Sequence, residues 1–172
     1  MKIPRIAYAA YGFALLVIVL DQLTKVWVVD GIDLPELGQI RVWDPVFNLT
    51  WVRNYGVSFG LFGDGSARWL LTAFSIAVAG FLAVWATRTS RRLLIAAIGL
   101  VMGGALGNVV DRIRFGYVVD FIDVSGLGFP WVFNIADAAI NVGVALLIID
   151  TLLSERAARR RSGADEAEGG AA

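Results

Sequence analysis

The sequence contains no histidine and no cysteine in its 172 residues. Without cysteine the chain can form no disulfide, no thiolate nucleophile and no cysteine-ligated metal site. Without histidine, a zinc site would have to be built from carboxylates alone, which is unusual. We therefore expect no metal site, and any hydrolytic chemistry would depend on a pair of aspartates.

Charge is also scarce. Charged residues make up 17% of the chain, hydrophobic residues make up 58%, and the formal net charge is zero. A soluble domain of this length is not usually so apolar, and a neutral chain has no general attraction to nucleic acid. The composition predicts a membrane protein that contacts lipids and does not bind nucleic acid.

Four apolar runs are bounded by charge and approach or reach the roughly 20 residues that a helix needs to cross a bilayer. They cover about residues 6–29, 69–87, 93–110 and 131–149. A cleaved signal peptide is the alternative for the first run, but that run continues past Lys25 without a small-residue cleavage pattern. We therefore expect an all-α polytopic membrane protein with four transmembrane helices.

The basic residues that flank these runs predict the orientation. Lysines and arginines cluster before the first span, between the second and third, and after the fourth, which places both termini in the cytoplasm. Residues 30–68 and 111–130 would then lie outside. Residues 1–153 would form one membrane-embedded domain, and the charged residues 154–172 a disordered cytoplasmic tail.

The external segment 30–68 mixes β-branched residues, aromatic residues and glycines in its second half. This composition predicts a small β-rich segment on the membrane surface, since a further span would bury Arg53. Such a segment could hold an extended substrate or merely cover the bundle. In the third span, Gly99, Gly103 and Gly107 recur every four residues, which predicts close helix packing within a monomer and not dimerisation.

Several polar residues interrupt the spans. Asp21 and Lys25 are four residues apart on one helix face and can form a structural ion pair. Asn108, Asp111 and Arg112 share a face at the end of the third span, where Asn108 is deep enough to need a polar partner. Helix-end polarity and substrate positioning are both compatible with this second group.

Asp120 and Asp137 are the candidate catalytic acids. Asn134 could cap the fourth helix, and Asp137 could then simply answer the helix dipole. That explanation leaves Asp120 in an apolar loop without a role. Two carboxylates that met across the mouth of the bundle would share one proton and could activate water. Spacing alone leaves both interpretations open.

Five strings in order complete the pattern: Asp21-Gln22-Leu23-Thr24-Lys25, Arg53-Asn54-Tyr55-Gly56, residues 108–112, Val119-Asp120-Phe121 and residues 133–137. Together they resemble the bacterial lipoprotein signal peptidases, also called signal peptidase II, over nearly all of the chain up to about Asp150. The resemblance implies an aspartic endopeptidase of the inner membrane. Such an enzyme cleaves a prolipoprotein on the amino side of its diacylglyceryl-modified cysteine and uses no cofactor.

Motif matching then implies the roles of individual residues. The catalytic dyad falls on Asp120 and Asp137, with the active site near the outer face of the membrane. The supporting set falls on Asn54, Gly56, Asn108, Asp111, Arg112 and Asn134. Asp111 ranks second as a catalytic acid, because Arg112 offers it an ion-pair partner. The surface segment around Asn54 and Phe59 would hold the peptide.

A small transport protein is the main alternative, in which Asp21, Lys25, Asp120 and Asp137 would form a proton or ion path. A relay should place acids at several depths, whereas the second and third spans carry no charge before Asp111. A scaffold protein that uses the glycine stripe is a third possibility, but it leaves the two outer acids unexplained.

Overall fold

The computed structural model describes residues 4–56 and 66–169. In chain order its helices are α1 (Ala7–Val26), α2 (Leu34–Leu37), α3 (Ser66–Ala86), α4 (Arg92–Arg114) and α5 (Ile135–Gly169). A π-helical turn, Trp27–Gly31, extends α1. Four helices are long and apolar enough to cross a membrane, at Ala7–Gly31, Arg68–Ala86, Arg92–Arg114 and Ile135–Arg160. The prediction of four spans is confirmed at this level.

Helix α4 is the centre of the bundle. Of its most apolar stretch, 72% is buried, against 17% to 28% in the other three spans. Its glycines explain this position, because a Cβ on Gly99 would lie 2.7 Å from Ala10 O and a Cβ on Gly103 would lie 2.7 Å from Ala14 O. The predicted glycine stripe therefore brings α4 into close contact with α1 inside the protein.

A four-stranded antiparallel sheet lies at one end of the bundle. Its strands are β1 (Gln39–Trp43), β2 (Phe47–Asn54), β3 (Val118–Asp123) and β4 (Val132–Phe133), in that spatial order. Of these, β2 lies in the second half of segment 30–68, where strands were expected, whereas β1 lies before it. The other two come from the connection between α4 and α5, which the sequence did not assign to a sheet, and Phe59 lies outside the described residues.

One face of β3 is apolar and packs against the turn that extends α1 and against α2. Val119 and Phe121 of β3 pack with Val28, Leu34 and Leu49 in a buried cluster. Because side chains alternate along a strand, Asp120 points to the opposite face, toward the helix ends. This arrangement places β3 next to the ends of α1, α4 and α5, where these helices meet.

Two boundaries differ from the sequence-based expectations. The fourth helix begins at Ile135 and not near residue 131, because Val132–Phe133 pairs with β3. Helix α5 continues to Gly169, so residues 154–169 are helical where a disordered tail was expected. The many alanines and arginines of this stretch are strong helix formers, which accounts for the continuation.

An ion pair closes the end of the bundle opposite the sheet. The guanidinium of Arg91, just before α4, binds both carboxylate oxygens of Asp150 on α5 and donates to the Asp150 backbone oxygen at 2.7 Å. Between this pair and the sheet end, the bundle interior is apolar. The two ends are therefore fixed by separate polar clusters.

We expect Gly103→Ala to destabilise the bundle by about 1 to 3 kcal/mol, the usual cost of overpacking a filled core. The added methyl would lie 2.7 Å from Ala14 O and 2.8 Å from the Val17 Cβ. Thermal unfolding in detergent measures the effect. Gly80→Ala is the matched control, since a Cβ on Gly80 meets nothing within 4 Å. Equal melting temperatures for the two variants would contradict close packing at Gly103.

Candidate active site

The carboxylate of Asp120 is held by two asparagine side chains from different elements. Its Oδ2 accepts a hydrogen bond from Asn54 Nδ2 on β2 at 2.9 Å, and its Oδ1 accepts one from Asn134 Nδ2 at 2.7 Å. The residue is 1% exposed. Asp120 is thus a buried acid whose two oxygens are oriented by neutral donors.

Asn134 links the start of α5 to β3. Its Oδ1 accepts the backbone N–H of Asp137 at 2.9 Å, which is the helix cap that the sequence suggested. Its Nδ2 also lies 3.2 Å from Val119 O and 3.3 Å from Asn108 Oδ1. The cap and the contact with Asp120 are therefore made by the same side chain, so capping does not compete with a role at the site.

Asp137 lies on the first turn of α5 and is half-buried. Its Oδ1 accepts a hydrogen bond from Asn108 Nδ2 on α4 at 2.8 Å. Asn108 thereby has the polar partner that its depth in the span required. The structure brings Asp120 and Asp137 together, with Asn108 and Asn134 connecting them.

The environment of Asp120 raises its pKa from 3.8 to about 7. Burial is the largest cause, since it disfavours the charged carboxylate, and the negative charge of Asp137 acts in the same direction. Hydrogen bonds from Asn54 and Asn134, and the charge of Lys25, oppose the shift. Asp120 can therefore hold a proton close to neutral pH.

A buried ionic cluster lies beneath the two acids. Lys25 Nζ lies 2.8 Å from Asp21 Oδ2 and 2.7 Å from Asp111 Oδ2. The first contact is the pair expected from the sequence. The second corrects the expectation that Asp111 pairs with Arg112: consecutive side chains leave a helix about 100° apart, so Asp111 faces α1 while Arg112 does not.

Gln22 is a residue of this cluster that the sequence analysis did not single out. Its Nε2 donates to Asp111 Oδ1 at 2.9 Å and to Asp21 Oδ2 at 3.2 Å, and it lies 3.4 Å from Gly107 O. The available signal was an amide within an apolar run, next to Asp21. Such an amide needs partners in the bundle interior.

Gly56 and Arg112 complete the site. Gly56 has a φ of 80°, in the left-handed region that favours glycine. Its N–H donates to Asn54 Oδ1 at 2.8 Å, which leaves Asn54 Nδ2 directed at Asp120. A Cβ on Gly56 would lie 3.6 Å from Arg112 Nη2, so the guanidinium borders this turn. Electrostatic attraction acts between Arg112 and Asp137.

A cleft of about 530 Å³ opens beside Asp120. It is lined by residues 52–56 of β2 and the following turn, by Asp120, and by residues 130–132 before and within β4. Among the residues that the structure describes, no group of three or more carboxylates converges as a metal site would require. The cleft runs along the strands, and Asp120 is the acid that lines it.

A sequence model of signal peptidase II matches residues 13–153. The chain belongs to the signal peptidase II family. The match includes the second and third spans, most of the first and fourth, and every residue of the site described above. The resemblance that the five sequence strings indicated is thereby confirmed, and with it the assignment of the protein as a peptidase with membrane-spanning helices.

Individual relatives agree with the family assignment. The lipoprotein signal peptidase of Caulobacter vibrioides is 52% identical over 163 residues, covering 90% of this chain and 93% of that protein. The lipoprotein signal peptidase of Shewanella loihica is 44% identical over 165 residues, covering 92% and 93%. A bacterial membrane enzyme solved in meso at 1.9 Å is similar in fold, with a TM-score of 0.71 and 30% identity over 84% of this chain and 92% of that one.

The raised pKa of Asp120 predicts how folding stability depends on pH. The folded protein binds this proton more tightly than the unfolded chain, so stability is lost as pH rises from about 4 to about 7. We expect Asp120→Asn to flatten the fall in melting temperature over this range. Thermal unfolding in detergent at a series of pH values measures it.

Asp123→Asn is the matched control on the same strand. Its hydrogen bonds from Thr50 and the Ser125 backbone lower the pKa of Asp123, so its contribution is lost only as pH falls below about 4. This variant should keep the wild-type slope above that pH. A slope unchanged by Asp120→Asn would show that Asp120 does not hold its proton in the folded state.

Proposed function

We propose that Asp120 and Asp137 are the catalytic pair with which this signal peptidase II removes the signal peptide from prolipoproteins. Cleavage takes place on the amino side of the diacylglyceryl-modified cysteine. One observation carries the proposal: a buried acid that lines the cleft and holds a proton near neutral pH is joined through two asparagines to a second, half-exposed acid. The substrate follows from the names of the relatives.

The two acids have different surroundings, which assigns them different roles. Asp137 lies on the first turn of α5, where the helix dipole favours a carboxylate, and Asn108 donates to it. Asp120 is buried and holds the shared proton. A pair with one proton has one base and one acid at the same time, which is what addition of water to an amide requires.

The reaction then runs in two proton-balanced steps. Asp137 takes a proton from water as the hydroxyl oxygen bonds to the scissile carbonyl carbon, and Asp120 gives its proton to the carbonyl oxygen. In the second step Asp137 gives its proton to the amide nitrogen as the carbon–nitrogen bond breaks, and Asp120 recovers its proton from the diol. The pair returns to its starting state.

The substrate lies extended in the cleft beside β2, with its lipid among the acyl chains of the membrane. Exposed apolar side chains cover the outward surfaces of α1, α3 and α5, which suits a lipid surrounding. The end opposite the sheet carries many arginines, among them Arg88, Arg91, Arg92, Arg156 and Arg159. By the positive-inside rule this end and both termini are cytoplasmic, so the sheet and the active site are near the outer face. The enzyme acts as a monomer.

The placement of charge favours this function over transport. Asp21, Lys25, Asp111, Asp120 and Asp137 all gather at the sheet end of the bundle. The partly exposed pair Arg91–Asp150 is at the other end, and the spans between carry no charged residue. A proton or ion path would need polar groups at intermediate depths.

We expect Asp120→Asn and Asp137→Asn each to reduce cleavage by at least about 10²-fold, because each removes a general acid or base. The measurement is cleavage of a purified diacylglyceryl prolipoprotein in detergent or liposomes. Asp123→Asn, on the same strand but bonded to Thr50 and Ser125, should keep near wild-type activity. Substantial cleavage by either dyad variant would remove that residue from the catalytic pair.

The cleavage rate should fall as pH rises through about 7, because Asp120 then loses the proton that it gives to the carbonyl oxygen. The chain has no histidine, so no unperturbed side chain titrates in this range. Asn54→Ala removes a donor that favours ionised Asp120 and so should raise its pKa further, moving the fall to higher pH.

The control for this profile is Asn48→Ala, on the same strand. The hydrogen bonds of the Asn48 side chain are to Asp44 and the Val42 backbone, and not to Asp120 or Asp137. It should leave the pH profile in place. The profile is measured from pH 6 to pH 9, about one unit below and two units above the pKa of Asp120. A wild-type rate that stays constant over this range would contradict the role of Asp120 as the proton donor.

A further inference from the structure

Asp111 and Asp21 each hold the backbone immediately before a catalytic acid. Asp111 Oδ2 accepts the N–H of Val119 at 3.0 Å, one residue before Asp120. Asp21 Oδ1 accepts the N–H of Ala136 at 3.0 Å, one residue before Asp137. Both acceptors are carboxylates, whose hydrogen bonds are shorter and stronger than those of neutral acceptors.

Lys25 joins these two carboxylates. Its Nζ lies 2.7 Å from Asp111 Oδ2 and 2.8 Å from Asp21 Oδ2, and it also lies 3.4 Å from Asn108 Oδ1. The connection therefore runs from one catalytic strand, through a single ammonium group, to the first turn of the other catalytic element. Asn108 adds a side-chain route from the same ammonium to Asp137.

The cluster is fully enclosed. Asp21 and Asp111 are 0% exposed and Lys25 is 2% exposed. The bundle admits them because Gly107 has no side chain: a Cβ there would lie 2.8 Å from Asp21 Oδ2. In a region of low dielectric constant such bonds are strong and directional, so a satisfied network is rigid.

Stability alone does not explain this arrangement. A buried ionic triad carries a large desolvation cost, and apolar side chains of similar volume often stabilise a fold equally well. What the triad supplies and apolar side chains do not is a fixed position for two backbone N–H groups on separate elements. This points to a role in geometry.

We propose that Lys25 is a positioning residue for the catalytic pair: through Asp111 and Asp21 it fixes the separation of Asp120 and Asp137. The inference rests on the proposed function. Loss of the bridge leaves both acids present but lets β3 and the start of α5 move independently. A misplacement of about 1 Å at a reacting centre can cost about 10²-fold in rate.

The test neutralises the whole bridge, so that no unpaired charge is left buried. The variant is Lys25→Met with Asp21→Asn and Asp111→Asn, in the full-length protein in detergent. We expect kcat for the diacylglyceryl prolipoprotein to fall about 10- to 100-fold with little change in KM, because the cleft is untouched. Lys25→Arg, made in the otherwise wild-type protein, keeps a cation between the two carboxylates. Its kcat should therefore fall less than that of the neutral variant. Wild-type kcat in the folded neutral variant would overturn the proposal.

The matched control is Arg91→Met with Asp150→Asn. It removes the partly exposed ion pair at the opposite end of the bundle and should leave kcat unchanged even if the melting temperature falls. Asp111→Asn alone is the second variant, in case the triple one does not fold. It leaves Lys25 paired with Asp21 and loosens only the β3 side, so kcat should fall while the protein stays folded.

Amide hydrogen exchange provides a readout that does not need activity. The N–H groups of Val119 and Ala136 should both exchange faster in the neutral variant, and only that of Val119 in Asp111→Asn. Unchanged exchange at both positions would overturn the proposal on its own. Failure of the wild type to cleave would instead reject the proposed function, while the exchange rates would still decide whether Lys25 couples the two segments.

Discussion

A lysine buried between two carboxylates is the interaction on which the remainder of this structure depends. Lys25 of α1 binds Asp21 on its own helix and Asp111 on α4. Those carboxylates in turn accept backbone N–H groups from β3 and α5. Four elements, α1, α4, β3 and α5, are thus linked through one ammonium group and its two carboxylates. Because burying these charges is costly, the elements must converge closely enough to satisfy every donor and acceptor.

That convergence is possible only because α4 has a glycine-rich surface. Gly99 and Gly103 let the backbone of α1 approach closely, and Gly107 leaves room for Asp21 itself. The same small residues that pack the apolar part of the bundle therefore also make space for its ionic part. Along this face of α4, the apolar contacts at Gly99 and Gly103 are followed, one turn further on, by the contact of Gly107 with Asp21.

The chemistry follows from how differently the two candidate acids are surrounded. Asp120 is buried on the bundle-facing side of a strand, where desolvation and the charge of Asp137 raise its pKa to about 7. Asp137 is more open and lies at a helix N-terminus. A chain without histidine thereby acquires a group that exchanges a proton near neutral pH. It does so by placing an ordinary carboxyl in a dry site with two amide donors.

Much of this could be predicted from the sequence, because the relevant signals are local. The spans appear as long runs that are mostly apolar, since a helix in lipid cannot leave polar groups unpaired. The ion pair of Asp21 with Lys25 and the cap made by Asn134 depend on spacings of three or four residues within one helix. Motif order was sufficient to indicate the family and, with it, the two acids proposed as catalytic.

The sequence by itself therefore determined which segments cross the membrane, where the fourth helix is capped and which acids are candidates. Only the tertiary structure decided that Asp111 pairs with Lys25 and not with Arg112, that Gln22 belongs to the cluster, and that β3 and β4 complete the sheet. It also decided that Asp120 is desolvated. The reason is physical: a spacing in sequence specifies neighbours along one helix or strand, whereas pairing, burial and proton affinity depend on groups brought together from different elements.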